Sequence, residues 1–329
     1  MLTVSSFGPF GDDPELSAAF QQMFRLLGSG AGSDTDRARS VAASVANDGG
    51  TESNVDPAVR LRIEELARVA ELQVIETTGL DNILGVASSV SAVNRAGWTA
   101  TTIDAYWPLF ETLSSSLGTM LQGQLDDLTD DDISQMSEML PDDMPIDMAS
   151  LMEGLSGLMG PMMLVTLAGS TVGQLGRRAF GSYELPIPRA GGGVLVVATE
   201  VDDFARDWSL DPDDVRLWVV LREISLHAVL TLPHVATRLT DLLSRHARSF
   251  RADPEAMAEQ LGDIDPYDPS SMERLSDVFS DPNVILRAIR SPEQDELVPY
   301  IDALVSTVCA YSDWVVDSIG SRFVSSHSM

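Results

Sequence analysis

DPDDVRLWVVLREISLHAVL, residues Asp211 to Leu230, predicts a helix buried on several sides. Asp211 is placed to cap it, Pro212 suits the first helical position, and Asp214 puts a carboxylate beside free backbone N–H groups. Val215, Trp218, Val219, Leu221 and Ile224 then recur with Leu217 and Val220 flanking them, so most of the cylinder is apolar. Arg222, Glu223 and His227 sit inside this apolar run. A charge buried without a partner is costly, so chemistry is sought here first.

A zinc-peptidase helix reads HExxH, with two His four apart on one face and a Glu acting as general base. The matching residues are Arg222, Glu223, Ile224, Ser225 and Leu226. The Glu is present and both His positions are filled otherwise. His227 falls one residue later, turned by about 100° around the axis.

Composition narrows the function classes. The chain has 329 residues and a formal net charge of −29. All 21 basic residues are Arg. An acidic chain of this kind argues against nucleic acid and against anionic lipid as partners. The single cysteine, Cys309, allows no internal disulfide. The N-terminus shows no basic stretch followed by an apolar run, so a cytoplasmic location is the expectation. Residues 154–176 carry no charge over 23 positions, long enough to span a bilayer. Ser156, Pro161, Thr166 and Gln174 interrupt that run, and a membrane span is not the favoured reading. Its small residues permit close helix packing, in a bilayer or in a soluble core.

From the N-terminus, helices are predicted from Asp13 to Gly28, from about Thr35 to Ala46, and from Asp56–Pro57 through about Thr77. Trp98 to Leu121 predicts another, kinked at Pro108. The Asp clusters at 126–127, 130–132 and 142–143 lack the order of a calcium loop and read as caps and solvated loop. The methionines from Met136 to Met163 read as core filler. AFGSYELPIPRAGGG reads as an extended loop. Gly193 to Val201 is the one convincing strand. Later helices are expected over Pro233–Phe250, near 254–261 and 270–279, and from Pro292 to Ser318, the last interrupted or bent near Pro299.

The run ELPIPRAGGGVLVVATEVDDFARDWSLDPDDVRLWVVLREISLH resembles the bacterial zincin-like metallopeptidase type 2 family, whose members are described as hydrolases or associated with deazaflavin-cofactor biosynthesis. The family shows a Leu-Pro-rich loop, a short apolar strand, a Phe-Ala-x-x-Trp step and a helix entering HExxH or RExxH. Here that step is Phe204-Ala205-Arg206-Asp207-Trp208. Val308 to Asp317 is similar to the family's second segment, which supplies a third ligand. Weaker likeness covers Trp98–Gly118 and Gly169–Gly181. The resemblance implies that Arg222 and Leu226 occupy the two His positions, Glu223 the general-base position and Cys309 the third-ligand position. An Arg cannot deprotonate to become a ligand.

The expectation is therefore a mainly α protein with a zincin-like helical core and one short strand or small sheet. Residues 1–55 would form an N-terminal helix with flexible linkers. Residues 56–329 would form the zincin-like domain, which family members usually continue by roughly a hundred residues, about one small domain. The residues point to a metal-free, catalytically inactive member that binds or regulates a protein or peptide partner. Glu223 would then form a buried ion pair with Arg222 or Arg216, or accept backbone donors. The alternative is a zinc-dependent hydrolase with Glu223 as general base and His227 and Cys309 as non-standard ligands.

Overall fold

The computed structural model describes residues 32–126, 162, 164–191, 193–250 and 291–323. Their helices are α1 (Asp34–Ala46), α2 (Pro57–Thr78), α3 (Arg95–Asp126), α4 (164–176), α5 (Ala198–Asp207), α6 (Pro212–Leu230), α7 (Pro233–Arg248) and α8 (Pro292–Phe323). Two four-residue strands, β1 (Val90–Val93) and β2 (Val194–Val197), pair in parallel. The protein is mainly α, as its sequence indicates.

Helix α6 is the central element. Asp211 caps it by accepting from the backbone N–H groups of Asp213 and Asp214, and Pro212 opens it. Thirteen of its residues are buried, so it is enclosed on most sides. It packs chiefly against α2 and α8, with α5 folded back along it. Ile63, Ala67, Ala70 and Val74 of α2 meet Val220, Leu221 and Ile224 of α6 and Val315 and Ile319 of α8 in one apolar cluster.

Strand β2 divides this cluster from a second one. Val194 and Val196 face the α2–α6–α8 core, whereas Leu195 and Val197 face a core built from α1, α3 and α4. Both faces are covered, which is why the strand reads as an unbroken apolar run. The strand is shorter than its sequence suggests. The expected Gly193–Val201 strand ends at Val197, because ATEVDDFARD forms the amphipathic helix α5. Its Glu200 pairs with Arg95 of α3. Strand β1 is an addition the sequence did not signal: VSAV is too short to show a period. The last helix is likewise continuous, holding Pro299 within Pro292–Phe323, and α3 holds Pro108. The expected helices over 13–28, 254–261 and 270–279, the Asp clusters from residue 127 on and the methionines from Met136 to Met163 other than Met162 lie outside the described residues. Met162 is exposed, not core filler.

The glycines of α4 serve a helix–helix contact within the protein. A Cβ on Gly173 would stand 2.6 Å from Val45 Cβ and 2.8 Å from the Ala42 carbonyl oxygen, and Gly169 meets Val41 and Ala38 in the same way. Helices α1 and α4 thus approach backbone to side chain, and no larger residue fits. Gly173→Ala is expected to lower stability by about 1–3 kcal/mol through this overpacking. A urea titration showing an unchanged midpoint would disprove the close contact. Among the described residues no helix is long and apolar enough to cross a membrane.

Candidate functional site

Glu223 is fully buried in the middle of α6. Its carboxylate has two partners. Oε2 accepts the Tyr183 backbone N–H at 2.8 Å, and Oε1 accepts from Arg222 Nη1 at 3.1 Å. Both arrangements anticipated for a structural Glu are therefore present together. Arg216, the other candidate partner, instead pairs with Asp202 and Asp213. Loss of hydration pushes the Glu223 carboxyl up to about 7, against the pull of Arg222 and of the Tyr183 N–H.

The Tyr183 backbone reaches Glu223 because residues 180–183 are pinned to β2. Ser182 N–H donates to the Leu195 carbonyl, Leu195 N–H donates to Ser182 Oγ, and Val197 N–H donates to the Phe180 carbonyl. Gly181 bridges Val196 in the antiparallel sense, so β2 has β1 on one side and this segment on the other. Trp98 Nε1 of α3 donates to the Gly181 carbonyl at 2.6 Å, and Arg189 donates to that of Ser182 at 2.7 Å. Gly181 lies against the carboxylate itself. A Cβ there would be 2.4 Å from Glu223 Cδ.

Tyr183 also touches His227. Its hydroxyl lies 2.8 Å from Nδ1. Burial lowers the His227 pKa, and the charge of Arg189 lowers it further, which favours a neutral ring. Burial likewise raises the Tyr183 phenol and pushes Tyr106 up to about 12, so both hydroxyls stay protonated. Tyr183 is thus one clamp on two turns of α6: its N–H holds Glu223 and its hydroxyl meets His227. Around this clamp sit Glu184, raised by burial, and Arg189, whose guanidinium lies 5.9 Å from the Tyr106 ring centroid.

The remaining motif positions do not converge on Glu223 as ligands. Leu226 is in an apolar cluster with Tyr183, Leu239 and Val308. Cys309 on α8 is half-buried, its thiol raised by burial and drawn back by nearby Arg222. Among the described residues no three His, Cys, Asp or Glu side chains gather as a metal-binding set, so Glu223, His227 and Cys309 do not form one. A guanidinium at the first His position, an apolar side chain at the second and a thiol within the field of that guanidinium do not fit a zinc ion.

Sequence reasoning singled out Glu223, Arg222 and His227 and missed what joins them. Gly181, Tyr183 and Arg189 belong to a stretch read as an extended loop, with no role given to these residues. Gly181 itself was the available signal, because a residue without a Cβ suits a close backbone approach. The polar hollow of about 290 Å³ lined by Asn47, Glu52, Arg95 and Arg177 includes none of these residues.

No curated protein matches the chain. A crystal structure described as a hydrolase candidate with a novel fold, from Chloroflexus aurantiacus, matches with a TM-score of 0.52 and 18% identity. The match covers 89% of this chain and 71% of the other. At that identity the likeness speaks to the fold alone. The family model for zincin-like metallopeptidases matches residues 34–329. The chain therefore belongs to the zincin-like metallopeptidase family.

Proposed function

We propose that this member of the family works without a catalytic zinc, as a pseudoenzyme whose role is to bind or regulate a protein or peptide partner in the cytoplasm. The observation that carries the reading is the Arg222–Glu223 ion pair. It places a permanent cation beside the general-base carboxylate, where a metal-bound water would otherwise have to sit. With both oxygens engaged and Gly181 packed on the side chain, Glu223 anchors the 180–189 loop to α6. A base so enclosed has no room for a water to activate. The strong negative charge leaves nucleic acid and anionic membranes as poor partners.

One observation favours hydrolysis instead. A carboxyl pushed up to about 7 has the proton affinity a general base needs near neutrality. The two readings separate on metal content. Protein purified without a His-tag or chelator is expected to hold far less than one zinc per chain by elemental mass spectrometry, even after incubation with excess zinc and desalting. About one zinc per chain, lost in both His227→Ala and Cys309→Ala, would overturn the metal-free reading and make Glu223 the base of an unusual hydrolase.

A further inference from the structure

The outward face of α2 carries an exposed stripe. Leu61 is 62% exposed and Leu72 64%, and Val69, 42% exposed, flanks them. Leu61, Glu65, Arg68 and Leu72 follow one another at spacings of four, three and four residues. That spacing puts them within about 60° around the helix axis. All four are exposed, and they stand opposite Ile63, Leu66, Ala67, Ala70 and Val74, which face the core. Alternating steps of three and four are those of the seam along which two helices pack.

The order of residues along the stripe decides what fits it. It reads apolar, acidic, basic, apolar. Laid antiparallel on itself about a two-fold axis midway between Glu65 and Arg68, it sets Leu61 against Leu72 of the partner subunit. It also sets Glu65 against Arg68 of the partner subunit, and the symmetry makes each contact twice. Parallel pairing would instead set Glu65 on Glu65 and Arg68 on Arg68, which repel. The charges are available for this. Arg68 forms no ion pair among the described residues, and the pair of Glu65 with Arg62 is an exposed one of the weak kind. Arg62 keeps Asp213 when Glu65 turns away. The chain's net charge of −29 opposes association in general. Helix α2, however, holds three Arg and four Glu, a net charge of one, and salt screens more distant charges beyond about 8 Å.

We propose that the Leu61, Glu65, Arg68 and Leu72 face of α2 binds a second copy of this chain in an antiparallel two-helix contact. The helix has 22 residues and is about 33 Å long. One such helix pair is a small interface, so the dimer is a weak one that forms at tens to hundreds of micromolar chain. The contact uses none of the buried residues around Glu223, so it stands whether or not the protein binds zinc.

Sedimentation equilibrium of the full chain at physiological salt tests this. A monomer–dimer equilibrium is expected, and Leu61→Ser, Leu72→Ser should weaken it at least tenfold. Glu65→Arg and Arg68→Glu each set like charges face to face, and each alone should weaken it at least tenfold. Mixed in equal amounts, these two variants should associate at least as tightly as wild type, because every charged contact between them is then of opposite sign. The double variant Glu65→Arg, Arg68→Glu should return to within a few-fold of wild type. All four sites are on the surface, and circular dichroism checks that each variant is folded. A chain that stays monomeric at hundreds of micromolar would leave the stripe without a second copy. A dimer unchanged by the leucine variant would lie on another face. Single charge variants that fail to pair on mixing would show that Glu65 and Arg68 do not meet across the axis. Any of these results overturns the proposal.

Discussion

Gly181→Ala is expected to cost about 3–5 kcal/mol of folding stability, although it adds one methyl group. The new Cβ would stand 2.4 Å from Glu223 Cδ, 2.5 Å from Cγ and 2.7 Å from Oε2. Two of those atoms belong to the carboxylate, which is fully buried and held at both oxygens, so rotation gives no simple escape. Two outcomes are open to the molecule, and each is expensive. The carboxylate can leave the Tyr183 N–H and Arg222, stranding a buried charge. Otherwise residues 180–183 lift from β2, breaking the Trp98–Gly181 bond and the Ser182 and Phe180 pairings. Urea unfolding of the variant reads the loss directly. A double variant gives the sharper test. In Gly181→Ala, Glu223→Ala the added methyl enters the space left by the carboxylate. The pair should therefore be more stable than the sum of the single losses predicts, by about 1–3 kcal/mol. Simple additivity would mean that Gly181 and Glu223 do not share the space described.

Local rules made α6 legible from its residues. Asp211 and Pro212 mark its start, and the near-continuous apolar cylinder marks its burial. The ion pair with Arg222 was also legible, because a buried Glu needs a partner and an adjacent Arg on the same helix was at hand. The Tyr183 clamp was not. Forty residues separate Tyr183 from Glu223, and the contact is made by a backbone N–H that any residue carries. Its position depends on pairing with β2, which in turn depends on β1, a strand of four residues with one Ser in it. The end of β2 was illegible for a related reason. Val201 continues the apolar run in sequence, but Glu200 is held by Arg95 from another element, which helps to fix α5 as a helix. Tertiary contacts settled what local pattern left open.

Glu223→Gln is expected to remove a pH dependence of stability worth about 3 kcal/mol. The Glu223 carboxyl titrates near 4.5 when unfolded and is pushed up to about 7 in the fold, chiefly by burial. Between those two values the folded chain holds a proton that the unfolded chain has released. Stability must then fall as pH rises across that window. The contribution is fully present below about pH 4.5 and is lost as pH passes through about 7. Other groups add their own slopes. Glu184 and Glu200 are raised by burial and act in the same direction, whereas His227 is lowered by burial and acts in the opposite one. The difference between wild type and Glu223→Gln cancels these and isolates the one carboxyl. Gln keeps the shape and can still accept the Tyr183 N–H, but it turns an NH2 toward Arg222, so near pH 4.5 it should be no more stable than wild type. Near pH 8 it should gain on wild type by about 3 kcal/mol, because it carries no buried charge. Denaturant midpoints across pH 4.5–8 measure the crossover. A difference that stays flat over this range would mean that Glu223 keeps its charge throughout. The Arg222 pair would then be strong enough to outweigh burial, and the carboxyl would have no proton to exchange near neutrality.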